Sequence, residues 1–471
     1  MSPSRAASRP PTDDSGTVSR GSAKAALAAS VLGFFVITLD ALVANVALPD
    51  IQKDLGGGIT GLQWVVDGYT LMFAALLLSA GSLGDRIGAH RAFALGMAVF
   101  VLASAGCGLA PGLGVLISAR MLQGTGAALM MPSPLTLIRE AFPDQVERGR
   151  AIALWTIGGS VAAAAGPVVG GALSLISWRT IFFINLPVGV AALFLLARAH
   201  RSPRRAVPFD LVGQIAAVAA MGGLTYGVIE AGADGFASPR ALAALTIALG
   251  AAVVFGVAQA RGTHPMAPLD LLCTRTVVVS ASTGFAFIAG LTGAVFTYSL
   301  YLQQERGLSS FAAGLVFLPM TVPSGFVSMP AARLAHTFGP RVPIVGGMVL
   351  MAAGFVILAA LPATAPVWLL AIVLIPIGIN GPLSMQPTTG VLLSSVPAQR
   401  AGVVSGIFNT SRQIGGALAV AVFGALISGH TGFQHGLRAG MVIAAVVALA
   451  AAAANIQTKP AAAHAPATSS P

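Results

Sequence analysis

Charge is scarce in this chain. Of its 471 residues only 9% are Asp, Glu, Lys or Arg, 56% are hydrophobic and the mean hydropathy is +0.85, whereas a soluble domain carries about 25% charged residues. That ratio excludes a water-soluble globule. Lysine is rarer still: Lys24, Lys53 and Lys459 are the only three, and none follows a glycine. The Gly-Lys-Ser/Thr core of a P-loop is therefore missing, and ATP hydrolysis by that route with it. Two cysteines, Cys107 in an apolar run and Cys273 in a basic loop, make no disulfide framework. His-Glu-x-x-His and cysteine clusters are absent, as is any nucleophile beside a base, so the sequence calls for no metal, no cofactor and no enzyme chemistry. The alternating short segments of an outer-membrane barrel are missing too.

Long apolar runs fill the space left by these absences. A bilayer core takes about 20 residues of helix, and that ruler gives spans near 26–48, 63–82, 92–110, 114–137, 151–174, 181–197, 211–230, 240–260, 277–302, 311–331, 343–361, 367–391, 402–428 and 437–455. The expectation is an all-α integral membrane protein of about fourteen helices. A net charge of +11 suggests nucleic acid at first sight, but the basic residues are scattered in short loops rather than gathered on one face. They report topology instead. With the N-terminus cytoplasmic, Lys53, Arg179, Arg240, Arg306 and Arg438 fall on the outer side, Arg120 and Arg412 stay within spans, and every other Lys and Arg falls on the cytoplasmic side. The positive-inside rule thus places both termini in the cytoplasm. No cleavable signal peptide is expected, because the Ser-, Arg- and Pro-rich opening leads into a full-length span.

Between the second and third runs stands GSLGDRIGAHRAF, from Gly81 to Phe93, a short charged connection. It resembles the signature between helices 2 and 3 of the major facilitator superfamily. Gly81, Leu83, Asp85, Arg86 and Gly88 fit that pattern, with Ala89 and His90 where basic residues are usual. The resemblance implies a conformational latch in which Asp85 pairs with a cation or a helix N-terminus in one state and releases it in another. The segment AARLAHTFGPR, Ala331 to Arg341, echoes it, with Leu334 for Leu83, Gly339 for Gly88 and His336 in the Asp85 slot. Two six-helix halves follow from that repeat, and the spans 211–230 and 240–260 become an inserted two-helix hairpin. The expected organisation is a disordered N-terminus over 1–25, a first bundle over 26–200, a basic linker and hairpin over 201–262, a second bundle over 263–456 and a disordered tail over 457–471.

Three further motifs resemble one branch of that superfamily, the fourteen-span drug:proton antiporters. LDALVANVALPDI in the first span carries Asp40 and Asn45, with Leu42 replacing a usual threonine. ARMLQGTGAALMMPSP in the fourth carries Arg120, Gln123, Gly124 and Gly126 of the proton-relay motif. AAAAGPVVGG in the fifth carries Gly166, Pro167, Gly170 and Gly171 of the antiporter motif, with Ala162 at a usual glycine. The branch implies two bundles that rock about a site near the midplane.

An ionisable residue inside a span is costly and points to function. Asp40, Asp67 and Arg120 lie at one depth, roughly 10 Å from the outer boundary at about 1.5 Å per residue. Asp40 and Arg120 are expected either to exchange a proton as the bundles tilt or to form a permanent ion pair that fixes packing. Asp67 binds a proton or a cationic substrate, or lies at a wet helix end. Arg412 in FNTSRQIGGALAV meets an anionic group or a backbone carbonyl, or snorkels to the cytoplasmic surface. Asn45, Gln123, Met130 and Arg412 are candidate cavity residues, while Glu140, Asp210 and Glu230 at span ends read as solvated. One proton entering down about 100 mV and one pH unit supplies roughly 3.7 kcal/mol. The sequence therefore reads as a monomeric, proton-coupled exporter of hydrophobic small molecules in a bacterial cytoplasmic membrane. A uniporter, a symporter and a non-transporting sensor are the alternatives.

Overall fold

The computed structural model describes residues 20–204, 210–262, 265–397, 400–428 and 432–457. Most of the expected terminal tails, all but one residue of the 457–471 segment, and part of the basic linker lie outside those residues. Among the described residues, fourteen helices are long and apolar enough to cross a bilayer. They are α1 Arg20–Leu55, α2 Gly58–Ile87, α3 Ala89–Gly108, α4 Leu113–Ala141, α5 Gln145–Ser174, α6 Thr180–Ala197, α7 Leu211–Asp234, α8 Pro239–Arg261, α9 Arg275–Glu305, α10 Ser310–Phe338, α11 Arg341–Ala360, α12 Val367–Ser394, α13 Ala401–Ser428 and α14 Phe433–Gln457. Helix is what hydrocarbon permits, since each backbone N–H and C=O finds its partner within the segment.

Ends and turns follow from local chemistry. The Asp144 carboxylate accepts from the N–H groups of Val146 and Glu147 to start α5, and Ser238 caps α8 with Pro239 at its first position. The charged signature after α2 is not the loop its composition suggests. Helix continues through Asp85 and Arg86 to Ile87, and the connection shrinks to Gly88 at φ +92. A side chain there would be strained by that φ and would also meet the Ser202 carbonyl. Gly339, its counterpart between α10 and α11, has φ +81, so the echo in sequence is an echo in backbone. The first helix also begins earlier than the apolar run implies, at Arg20, inside the stretch read as tail.

Two bundles result. In the first, α1 packs on α5 and α6, and α4 packs on both α2 and α3. In the second, α9 packs on α13 and α14, and α11 on α12 and α14. They meet along two seams, α2 against α13 and α5 against α10, and where α1 touches α9 and α10 between them. Helices α7 and α8 pair with each other, and α7 lies against both α2 and α13, where Gln214 donates to the Ala75 carbonyl at 2.9 Å and Gly232 abuts Ala425. Asp210, read as merely solvated, caps α7 and accepts from Gln259 at 2.7 Å.

An even number of spans leaves α1 beginning and α14 ending on one face, the terminal face. The seams are closed near the opposite, far face. There Ser299 donates to the Asn45 carbonyl at 2.8 Å, Gln303 to the Val46 carbonyl at 2.9 Å and Gln304 to the Gln52 side chain at 2.6 Å, while the Ser310 hydroxyl donates to Asp50. Glycine makes the approach possible: a Cβ on Gly171 would sit 2.5 Å from the Ser310 carbonyl, and one on Gly314 2.3 Å from that of Pro167. Toward the terminal face the same helices part. From Gln145 to Val161 only Ala151, Gly158 and Gly159 of α5 are buried, and beyond Met320 only Ala331 of α10 is. Along the α5–α10 seam the bundles part toward the terminal face, while α2 and α13 still touch at Leu78 and Gly406.

Gly171→Val should wedge the far seam. Spin labels at Lys53 and Glu305 should report a longer distance population in that variant, and an unchanged distribution would refute the wedge.

Candidate functional site

The Asp40 carboxylate lies inside the first bundle, not on a cavity between the two. Arg120 Nη1 reaches Asp40 Oδ2 at 2.5 Å, and Asp40 Oδ1 accepts from Gln123 Nε2 and Asn185 Nδ2, each at 2.8 Å. Arg120 also donates from Nε to the Val65 carbonyl at 3.0 Å and from Nη1 to Gln123 Oε1 at 2.8 Å. Ser104 accepts from both Gln123 and Asn185 and donates to the Phe182 carbonyl. Tyr69 covers the guanidinium, with its ring centroid 4.4 Å from Arg120 Cζ. Asp40 is 2% exposed and Arg120 1%.

Five helices, α1, α2, α3, α4 and α6, contribute to this cluster. The sequence brings out Asp40, Arg120 and Gln123; it is silent on Asn185, Ser104 and Tyr69, which carry no charge and sit in ordinary apolar runs. Gln123 belongs to the network and is fully buried, so it lines no cavity here. Nor does Met130, which packs in the core of the first bundle against Phe93 and Gly96, or Asn45, whose amide donates to the Ala41 carbonyl beside the closed far seam.

Asp67 is different in every respect. It is 0% exposed, and neither carboxylate oxygen has a hydrogen-bond partner among the described residues. Helical spacing puts Gln63, Asp67 and Thr70 on one face of α2. That face meets α13: Gln63 Nε2 donates to the Ala421 carbonyl at 2.8 Å, and a Cβ on Gly416 would stand 3.6 Å from Thr70 Cγ2. Asp67 therefore occupies the seam along which the bundles touch. The reading of a wet helix end is overturned by this burial.

Around the signature, Asp85 and Arg86 are exposed, and neither has an ion pair among the described residues. Gly81 stands in open space, whereas Gly88 turns the chain. His90, in the usual basic slot, ties the connection down: its Nε2 donates to the Leu196 carbonyl at 2.9 Å and its backbone N–H to Ser202 Oγ at 3.2 Å, while Ser202 donates to Glu140 at 2.5 Å. Glu140 is thus partnered rather than merely solvated. On the same face the Arg400 guanidinium holds the Asp270 carboxyl below the usual carboxylate range through a hydrogen bond.

In the antiporter motif, Gly166 lies against Leu42 of α1 and Gly170 against the Val43 carbonyl, while Gly171 and Pro167 lie against α10. The motif is the contact between α5 and both of its neighbours. Arg412 of α13 is partly exposed and packs on Gly284 of α9.

Two helical bundles touching at glycine-lined seams, with ionisable groups buried in one bundle and one seam, define a multi-pass membrane transporter. The Major Facilitator Superfamily model matches residues 30–420, and the chain belongs to that family. It is 37% identical over 408 residues to the multidrug resistance protein Stp of Mycobacterium tuberculosis, covering 85% of this chain and 75% of that one. To the methylenomycin A resistance protein of Streptomyces coelicolor it is 34% identical, covering 87% of each chain. The tetracenomycin C resistance and export protein of Streptomyces glaucescens is 36% identical over 88% of this chain and 77% of its own. Among solved structures, a POT family transporter in complex with 5-aminolevulinic acid aligns with a TM-score of 0.69 at 13% identity, covering 92% of this chain and 94% of that one. A bacterial homologue of the human lysosomal transporter Spinster aligns at 0.64 and 19%, covering 93% and 97%.

Asp40→Asn leaves the buried Arg120 charge uncompensated, a loss of about 3–5 kcal/mol for a broken buried pair. The purified variant should unfold at a clearly lower temperature, and Asp40→Leu with Arg120→Met should recover much of the loss. Equal stability of wild type and the single variant would contradict the role of the pair in packing.

Proposed function

We propose that this protein exports hydrophobic small molecules from a bacterial cell in exchange for protons, with its terminal face in the cytoplasm. In that orientation the bundles open to the inside. The observation that carries the proposal is Asp67, buried on the seam that must part. An isolated carboxylate in apolar surroundings is too costly to keep, so Asp67 holds its proton while the seam is closed. Opening of the far seam admits outside water and loads the proton, and exchange requires that the proton leave toward the terminal face when substrate enters the cleft open there. The Asp40 carboxylate accepts from Arg120, Gln123 and Asn185, all of its own bundle. We assign it, with Arg120, to holding the first bundle as one rigid body. Asp67 then becomes the proton carrier.

The remaining motifs supply the conformational cycle. Gly166, Pro167, Gly170 and Gly171 let α5 slide against α1 and α10, and the far-face hydrogen bonds from Ser299, Gln303, Gln304 and Ser310 form the gate that breaks when the outside opens. Asp85, unpaired in this inward-open form, is free to close the latch in the other. The names of the relatives, resistance and export proteins for multiple drugs, methylenomycin A and tetracenomycin C, support outward transport of compounds of this kind.

Flux into everted vesicles tests the assignment with ethidium, dansylglycine and dansylglycine methyl ester as probes. Asp67→Asn should lower gradient-driven uptake of whichever probes the wild type carries by at least about 100-fold, the scale of losing one proton-transfer group. Uptake that survives both the variant and collapse of the gradients would refute proton coupling. In a Cys273→Ser background, Lys53→Cys should react with an impermeant maleimide in intact cells and Arg201→Cys only after permeabilisation. The reverse pattern would invert the orientation.

A further inference from the structure

Arg412 is a cation for which the bundle provides no anion. Among the described residues no carboxylate lies within ion-pair distance of it, and its Nε–H is buried without an acceptor. Its polar contact is one hydrogen bond, from Nη1 to Asn409 Oδ1 at 3.1 Å, and Phe408 approaches it with a ring centroid 5.8 Å from Cζ. Snorkelling does not relieve it. It stands eleven positions after the first residue of α13, Ala401, a depth of roughly 16 Å at about 1.5 Å per residue, and its stem is packed on Gly284 inside the second bundle.

The position is also telling. On α13, Gly416 lies opposite Thr70 of α2 and Gly406 opposite Leu78. Arg412 stands between those two contacts along α13, on the terminal side of Gly416. Asp67 lies one turn beyond Thr70 in the opposite direction, so the two groups are roughly 10 Å apart along one seam at about 1.5 Å per residue. A guanidinium with free donors in a fixed fork, partly desolvated and next to an aromatic ring, is built to take a planar oxyanion.

We propose that Arg412, with Phe408 beside it, is the subsite for an anionic group, a carboxylate or an ionised enol or phenol, on an otherwise hydrophobic substrate. This rests on the export reading above and narrows it to organic anions. It also changes the energetics. One proton entering against one anion leaving moves two charges in the favourable sense, so about 100 mV and one pH unit sustain a gradient of roughly ten-thousand-fold, against several hundred-fold for a neutral substrate and tenfold for a cation. The single carrier carboxylate Asp67 then suffices, with no second proton needed.

Binding to the purified full chain, read by dansyl fluorescence, tests the subsite apart from transport. Wild type should bind dansylglycine at least tenfold more tightly than its methyl ester or ethidium. Arg412→Gln should bring the carboxylate-to-ester ratio near one, and Arg412→Lys, which keeps the charge but not the fork, should retain part of it. A wild type that does not prefer the carboxylate, or a Gln variant that still does, overturns the proposal. So does displacement of dansylglycine by raising phosphatidylglycerol in nanodiscs, which would give the guanidinium to a lipid headgroup. Should the binding preference hold while vesicle flux ignores the gradients, the anion site stands and proton-coupled export falls; gradient-driven flux of ester and ethidium without carboxylate preference gives the converse.

Discussion

Helices immersed in lipid gain little by burying apolar surface against each other, because the hydrocarbon around them is as apolar as their own side chains. What holds them is close packing, and packing at backbone distance needs positions without a side chain. Gly171 against Ser310, Gly314 against Pro167, Gly416 beside Thr70 and Gly424 against Gln63 meet that need at the two seams. Within the first bundle Gly96 and Gly126 do the same for α3 and α4, each sitting on the other's carbonyl. Where the bundles meet near the far face, a few hydrogen bonds to backbone carbonyls join an apolar cluster shared by both, Leu48 and Ile51 with Phe296 and Val420, while each bundle interior has an apolar cluster of its own.

The two buried aspartates illustrate how one residue type takes opposite parts. Asp40 has a guanidinium, two amides and an aromatic lid around it, all from one bundle, so its environment travels with it when the bundles move. Asp67 is buried without a hydrogen-bond partner among the described residues, on the face of α2 that meets the other bundle, so in the proposed cycle its environment is remade with each movement. Only a group whose surroundings change between states can couple a proton to that change. The same logic applies to Arg412, which also stands beside a seam rather than within a sealed interior.

The α7–α8 pair fits this division. Helix α7 touches α2 and α13 at once, through Gln214 near the terminal face and Gly232 near the far one. It covers the outer flank of the very seam that holds Asp67, with Tyr226 set 6.0 Å from Trp64. The pair thus flanks the α2–α13 seam and not the α5–α10 seam.

Much of this was legible in the residues. Span number and the class of fold follow from apolar run length, because the bilayer imposes one length and one kind of secondary structure. The glycine and proline motifs and the partnership of Asp40 with Arg120 were legible as well, since charge in a span is rare enough to stand out. Folding decided the rest, because position relative to other helices is not written in any one of them. The signature loop proved to be helix up to Gly88, since a helix end is set by backbone φ rather than by polarity. Met130, expected at a cavity, is core. Asn185 and Ser104 joined the ion pair although nothing local marks them. Asp67 and Asp40 are equally conspicuous as acids in apolar runs, and only the packing of α2 on α13 separates the group sealed in a bundle from the one lying in a seam, because solvation and partners are properties of the assembled helices.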